Sequence, residues 1–381
     1  MSKAVCLNDW RCSTLGDEVE LAYGKSLPKP SRIAGDFPVY GSNGIVDTHS
    51  SWLVKAPGVI VGRKGSCGEV HFAQIHFWAI DTTYYVVPKK DHNFRFLFYF
   101  LKTFGLERMN THSAVPGLNR DLAYQLECQI PPLPEQQKIA AVLSKIQKAI
   151  EIQDAILANV RELKKSMMNR LFTHGLRDET TKDTDLGPVP SSWTVKKCLD
   201  YVTLQRGQDL RRDDFAEGDI PVIGATQILG YHNSANVKGP GVTVVRSGSS
   251  AGFAQFVECD FWAHNVVLYV KDFHGNDQRY VSYHLNHIDL SRFRGGVAVP
   301  TLNRNTFASL TTGVPGLAEQ IDIASILHAI DTKASAHESK KSALQDLFKT
   351  TLNQLMTGTV RVKDLDIDTS AIHDQHFPGQ L

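Results

Sequence analysis

The sequence predicts an α+β fold built twice. Two globular domains are expected in tandem duplication, each followed by a long α-helix, with the helices forming an antiparallel coiled coil. Three observations predict it. The chain of 381 residues repeats itself at an offset near 184, a seven-residue apolar pattern follows each globular part, and short strand-like runs fill the rest.

The repeat is read from ordered matches. Val115-Pro116-Gly117-Leu118-Asn119-Arg120 returns as Val299-Pro300-Thr301-Leu302-Asn303-Arg304, and Phe77-Trp78-Ala79 returns as Phe261-Trp262-Ala263. Glu135-Gln136 with Ile139, Ala140 and Leu143 returns as Glu319-Gln320 with Ile323, Ala324 and Leu327. Earlier matches sit one residue closer: Pro38-Val39 with Gly41 against Pro221-Val222 with Gly224, Arg63 with Gly65-Ser66 against Arg246 with Gly248-Ser249, and Trp10 against Trp193. One residue is therefore gained between Ser249 and Phe261. Solenoid repeats run to about 20–50 residues, so this period is a whole domain plus a connecting element.

The expected order is a first globular domain over 1–133, a central long helix over 134–173, a linker over 174–192, a second globular domain over 193–317, a C-terminal long helix over 318–357 and a tail over 358–381. Within the globular parts, Gly58-Val59-Ile60-Val61 and Thr82-Thr83-Tyr84-Tyr85-Val86-Val87 read as strands. Their counterparts are Gly241-Val242-Thr243-Val244-Val245 and Val266-Val267-Leu268-Tyr269-Val270. An apolar helix is expected over 94–104, matched over 280–288, its aromatics belonging to the core. Pro134 suits a first helical position, and Glu135 favours the positive end of the helix dipole. Ile139, Ile146, Gln153, Val160 and Met167 then recur every seven residues, as do Val142, Ala149, Ile156 and Leu163, with Leu143, Ile150, Leu157 and Leu171 beside them. His174-Gly175 marks the end. The second helix has a poorer stripe: Ile323, Ile330, His337, Leu344 and Thr351, then Ile326, Lys333, Lys340 and Leu347, flanked by Leu327, Ala334 and Phe348. Gln153 and His337 occupy matching mid-helix positions, where a polar pair fixes register at some cost in stability. The linker is rich in Thr, Asp, Gly and Pro, and the tail beyond Asp364, lacking periodicity, is expected to fray.

Composition excludes several classes. Apolar residues make up 42% and charged residues 21%, as in ordinary soluble globular proteins. No run approaches the ~20 apolar residues of a membrane span, and residues 1–10 have no signal-peptide core. The six cysteines form no Cys-x-x-Cys pair, which fits buried thiols in a reducing cytosol. Net charge is +1, not the strongly basic balance of many nucleic-acid binders. Residues 1–177 carry +6 and 178–381 carry −5.

Several catalytic motifs are absent. There is no Gly-x-x-x-x-Gly-Lys-Ser/Thr loop, no His-Glu-x-x-His and no Asn/Asp-Pro-Pro-Tyr. His71 with His76, and His284 with His287, lack acidic or cysteine partners in both copies, so no metal site is expected. Two alternatives stay open: a duplicated metal-dependent nuclease using dispersed residues such as Asp47, His49 and Asp81, and a protein-interaction scaffold that does not contact DNA.

The layout resembles the specificity subunit of type I restriction-modification systems over nearly the whole chain. The likeness rests on the duplication and on Pro131-Pro132-Leu133-Pro134-Glu135-Gln136-Gln137-Lys138-Ile139 leading into a long helix, with Leu118-Asn119 and Leu302-Asn303 before the junctions. Leu15-Gly16-Asp17-Glu18-Val19 through Gly24-Lys25-Ser26 also looks like the family's domain start. The second copy departs from the pattern: Pro315-Gly316-Leu317-Ala318-Glu319-Gln320 lacks two of the prolines. The resemblance implies a non-catalytic chain in the cytoplasm of a prokaryotic cell. Each globular domain would read one half of a bipartite double-stranded DNA site. The helices would set the gap and dock DNA methyltransferase subunits, and a motor-nuclease restriction subunit would join for cleavage. No cofactor is expected on this chain; S-adenosylmethionine would belong to the methyltransferase that methylates adenine.

Base edges are read by Arg, Lys, Asn and Gln, and phosphates are held by Lys, Arg, Ser and backbone amides. Three loops per copy carry such residues. The first holds Lys25, Lys29 and Arg32, matched by Gln208, Arg211 and Arg212. The second holds Ser42 and Asn43, matched by Thr226 and Gln227. The third holds Arg63, Lys64 and Ser66, matched by Arg246, Ser247 and Ser249. Differences between copies suit two different half-sites. Arg120 and Arg304, next to the helix junctions, are equally open to a structural or a DNA-binding role.

Overall fold

The computed structural model describes residues 7, 9–109, 117–295, 301–302, 304–373 and 376–377. The chain divides into two units, 1–154 with 340–381, and 155–339. The long helices run Leu133–His174 and Leu317–Met356, and each contributes one half to each unit.

The first unit holds a four-stranded antiparallel sheet in the order Val19–Tyr23, Thr83–Pro88, Gly58–Gly62, Val70–Ala73. Gly58–Gly62 is buried throughout, which explains why it reads as an unbroken apolar run rather than an alternating one. A smaller sheet pairs Phe37–Gly41 antiparallel with Gly44–His49 and parallel with Trp78–Ala79. Helix Phe94–Lys102 is capped by the Asn93 side chain. Its aromatics Phe94, Phe96, Phe98, Tyr99 and Phe100 are buried, as expected for core residues.

The second unit repeats this arrangement. Its large sheet runs Thr203–Arg206, Val267–Asp272, Gly241–Val245, Ala254–Val257. Its small sheet joins Ile220–Ile223 to Ile228–His232 and, in parallel, to Trp262–Ala263. Helix Gln278–Ile288 is capped by Asp277. The extra residue of the second copy falls in the turn after the third loop, because Cys67 N–H donates to Gly65 where Ala251 N–H donates to Gly248.

Both long helices end on a left-handed glycine, Gly175 at φ 69° and Gly358 at φ 68°, the conformation that stops a helix without a Cβ penalty. Their packing is antiparallel. In the first unit Asp154 meets Lys341 at 2.5 Å; in the second, Arg161 meets Glu338 and Lys164 meets Asp331. The seam differs from the expected one. It consists of Ile139, Gln153 and Val160 alternating with Leu143, Ile150, Leu157 and Leu171, all buried. Val142, Ala149 and Ile156 are only half-buried, and Leu163 is exposed. Spacings of four and three residues between the first and flanking rows generate the coiled-coil stripe, so the middle row falls at its edge. The second helix obeys the same rule: Ile323 and Leu327 are buried, while Lys333, Lys340 and Leu347 are exposed. Gln153 is buried and His337 half-buried.

The Glu-Gln pair at each helix start is the junction. Glu135 is 2% exposed. Its carboxylate accepts from Trp10 Nε1 at 3.0 Å, from Arg361 Nε and Nη2 at 2.8 Å each, and from the Val362 amide. Glu135 is therefore not simply a partner for the helix dipole, as its position suggested; it anchors the chain that follows the other helix. Despite burial, which raises its pKa, the Arg361 and Trp10 contacts hold this carboxyl below the usual range. Gln136 accepts from Asn93 N–H and donates to the Pro131 carbonyl, both at 3.0 Å. In the second unit Glu319 accepts from Trp193 Nε1 and the Leu176 amide. Gln320 accepts from Asp277 N–H and donates to the Pro315 carbonyl.

Three expectations need correction. The segment expected to be a plain linker contains a hairpin, Thr181–Thr184 with Gly187–Pro190. It is pinned by Asp185 accepting from Thr311 and by buried Val189. The tail expected to fray packs on the first unit through buried Val362 and Ile372, and Lys138 Nζ donates to the Lys363 and Leu365 carbonyls. Such short segments fold against a preformed surface, so they carry no periodicity of their own. The cysteines also depart from six buried thiols. Cys67, Cys128 and Cys198 are free and buried, but Cys259 is exposed on a turn and Cys12 is disulfide-bonded; Cys6 lies outside the described residues. Among the described residues, no helix is long and apolar enough to cross a membrane.

Arg361→Ala leaves a buried carboxylate short of its charged partner. Breaking a buried pair costs about 3–5 kcal/mol, and partial exposure of Arg361 reduces this to roughly 2–3 kcal/mol, measurable by denaturant unfolding. The pair's contribution is present above the ordinary carboxylate pKa and is lost as pH falls through the depressed folded value. The wild type therefore loses more stability than the variant on acidification below about pH 4.5.

Candidate nucleic-acid interface

The three loops of each copy converge on one turn, the segment that follows the repeated Phe-Trp-Ala. In the first unit this turn is Ile80-Asp81-Thr82. From the first loop, Gly24 N–H donates to the Thr83 carbonyl and Lys25 N–H to the Ala79 carbonyl. From the second, the Tyr40 carbonyl accepts from Ile80 N–H, and Ser42 Oγ donates to the Thr82 carbonyl at 2.9 Å. From the third, the Arg63 and Lys64 amides both donate to the Thr82 carbonyl, and Arg63 Nε donates to the Asp81 carbonyl at 2.9 Å. Trp78 Nε1 closes the set on the Lys25 carbonyl.

The second unit builds the same hub on His264-Asn265-Val266. Gly207 N–H donates to Val267, Gln208 N–H to Ala263, His264 N–H to Ile223 and Arg246 N–H to Val266. Arg246 Nη1 donates to the Asn265 carbonyl, and Trp262 Nε1 to the Gln208 carbonyl. A Cβ on Gly24 would lie 2.1 Å from the Ile80 carbonyl oxygen, and one on Gly207 would lie 2.2 Å from that of His264. Only glycine permits the first loop to approach so closely.

On this shared framework the side chains differ. Lys25, Lys29, Asn43 and Lys64 are exposed; so are Gln208, Arg211, Arg212, Thr226, Gln227 and Ser249. Ser66, Arg246 and Ser247 are half-buried. Besides Arg63 and Arg246, whose guanidinium groups donate to hub carbonyls, two more of the expected contact residues use their side chains inside the domain. Arg32 donates to the Leu27 carbonyl and to Asp47. Ser42 is buried, with Oγ donating to the Lys64 and Thr82 carbonyls; the second copy has Ala225 there and no such tether. Both are positioning residues in this geometry. Lys29 and Arg32 lie on the outer limb of the first loop rather than at the hub.

Sequence reasoning missed Tyr23. It is 54% exposed and lies beneath two guanidinium groups, Arg63 at 5.3 Å and Arg120 at 5.1 Å. Arg206 takes its place in the second copy. Arg120 also donates to the Leu21 carbonyl, and Arg304 to Leu204, so both bind the first strand of their own sheet. The signal was present in the repeat, because Asn-Arg recurs at the same offset. The preceding Val115-Pro116 and Val299-Pro300, and Asn303, lie outside the described residues.

Two of the three residues considered for a nuclease, Asp47 and His49, are otherwise engaged. Asp47 is paired with Arg32 at 3.2 Å. Buried His49 accepts the Ile33 amide and meets Trp78 edge-on. Its counterpart His232 does the same with Ala216 and Trp262, a framework role kept in both copies. Among the described residues, no group of three or more His, Cys, Asp and Glu side chains is placed to hold a metal ion. His284, buried against Tyr201 and Phe172, has its pKa pulled down to about 3 by burial.

Two tandem domains with such loops, joined by long antiparallel helices, define a modular recognition protein. The chain belongs to the type I restriction modification DNA specificity domain family, whose model matches residues 8–162 and 190–346. It is similar to the type I restriction enzyme MjaVIII specificity subunit of Methanocaldococcus jannaschii, 21% identical with 94% of each chain covered. It is also similar to a putative type I restriction enzyme specificity subunit of Haemophilus influenzae, 22% identical over 81% of this chain and 83% of the other. Among solved structures, the S subunit of a type I restriction-modification system from M. genitalium shares the fold. The TM-score is 0.70 at 16% identity, over 93% of this chain and 98% of the other.

Gly24→Ala forces the first loop off the Ile80 carbonyl. The expected cost is about 1–3 kcal/mol, with faster amide exchange at residues 79–83 and unchanged exchange at 263–267. Equal loosening of both hubs would contradict the independence of the two sites.

Proposed function

We propose that the chain is the non-catalytic DNA sequence-recognition subunit of a type I restriction-modification complex in a prokaryotic cytoplasm. Each globular domain reads one half of a bipartite duplex site. The long helices set the gap and dock DNA methyltransferase subunits, which carry S-adenosylmethionine, and a motor-nuclease subunit joins them for cleavage. One observation carries this reading: the same three-loop hub is built twice with different exposed side chains, Asn43 and Lys64 on one, Gln227 and half-buried Ser247 on the other. Exposed amides pair bidentately with adenine, and exposed cations hold phosphates. Retained Gln153 and His337 in the seam suit a coiled coil whose register matters more than its stability. Engagement of Asp47 and His49 within the first unit disfavours the nuclease alternative, and a scaffold that ignores DNA has no need of two hubs that differ at their exposed positions.

The test is duplex binding by the chain together with its methyltransferase subunit across a salt series. A preference for one bipartite sequence over a scrambled duplex, with affinity falling steeply with salt, is expected. Equal affinity for both duplexes would refute the reading.

A further inference from the structure

The two units share a notch between the sheet, the short helix and the long helices, but they fill it differently. In the second unit, Arg279 lies over the Phe256 ring at 4.2 Å and donates to Glu258 at 3.1 Å, with His328 Nδ1 also at 3.1 Å. Beside it, Tyr283 donates to Asp331 at 2.6 Å, and Lys164 pairs with the same carboxylate. Every cation in that notch has a carboxylate from its own chain.

The first unit keeps the framework and loses those two acids. Arg95 lies over Phe72 at 3.6 Å, and Tyr99 stands where Tyr283 does, bonded to Ser144 at 3.2 Å. At the offset of 184, Gln74 replaces Glu258 and Gln147 replaces Asp331. Arg95 Nε is buried with no hydrogen-bond partner. The cavity it lines, 610 Å³ in volume, also presents Lys145 and Lys148. Two acids border the cavity, but Glu151 lies 3.6 Å from Lys148, and Asp368 accepts from the Ser370 amide. Glu151 acts on the Arg95 charge from within the cavity, but among the described residues no carboxylate bonds its buried Nε; a buried donor left unpaired is unfavourable, and an incoming carboxylate relieves that cost.

We infer that the Arg95 notch of the first unit is a docking site for an acidic side chain of a partner protein, supplying from outside the carboxylate that Glu258 supplies within the second unit. A carboxylate is favoured over a phosphate because the second unit shows the same Arg-over-Phe arrangement satisfied by one. The inference rests on the reading that the chain assembles with methyltransferase subunits, and it makes the two units unequal: one notch supplies its arginine with a bonded carboxylate, the other does not.

The test titrates the methyltransferase subunit into the full chain by calorimetry. Arg95→Ala removes the receptor. Gln74→Glu fills the notch from within, as Glu258 does, and guards against misfolding because it should keep or raise the melting temperature. Each variant is expected to weaken one binding step by tenfold or more. Unchanged binding by Gln74→Glu with a raised melting temperature would overturn the proposal, as would an Arg95→Ala effect confined to duplex binding without the methyltransferase. Failure of the wild-type chain to bind the methyltransferase would instead overturn the functional reading, and the docking partner with it.

Discussion

A glutamate and a buried glutamine in the first turn of each long helix determine how the rest of the chain is arranged. The glutamine bonds the helix start to the cap of the short helix before it, through Asn93 in one unit and Asp277 in the other. The glutamate holds the opening tryptophan of its own domain and the chain leaving the other helix. Glu135, Gln136 and Gln320 are removed from water and Glu319 is half-buried, so each bond missing at the first three would leave a buried polar atom unsatisfied. A domain, the helix that follows it and the end of the other helix are thereby locked together. The hydrophobic cores agree: Leu355 and Met356 join the first core, and Leu171 and Phe172 join the second.

That anchoring frees the loops at the hub to differ. Backbone bonds to one turn, not side-chain packing, hold the three loops in place, so the side chains between those bonds can change without cost to the framework. The copies exploit this at Asn43 against the Thr226-Gln227 pair, at Lys64 against Ser247 and at Tyr23 against Arg206. Framework positions stay fixed where their role is internal, as with Trp78 and Trp262, or His49 and His232. The bonds that hold the loops and the side chains that vary between copies thus belong to separate atoms of the same loops.

Much of this was legible in the sequence. The duplication located both units, the heptads located both long helices, and unbroken apolar runs located the central strands. The aromatic-rich segment over 94–104 was correctly placed in the core. What escaped was long-range and polar. Nothing near Glu135 announces Arg361, 226 residues away. The middle heptad row looked equivalent to its neighbours because apolar character alone does not say which two rows face the partner helix. The hairpin over 181–190 and the tail have no periodicity, since they add short edges to surfaces built by other segments. Arg32 and Ser42 had the chemistry of contact residues, but only the fold shows that Asp47 and the Thr82 carbonyl already occupy them. Tyr23 went unnoticed because a single tyrosine at the end of a strand carries no pattern.

The central claim is that reader and spacer are one rigid module, so helix length fixes the distance between half-sites. Removing one matched heptad from each long helix shortens the spacer by about 10 Å at 1.5 Å per residue, close to three base-pair steps. Mapping methylated adenines in cells carrying that chain tests the claim most directly. The account predicts the same two half-site sequences at a shorter gap. Methylation at the original gap would contradict it.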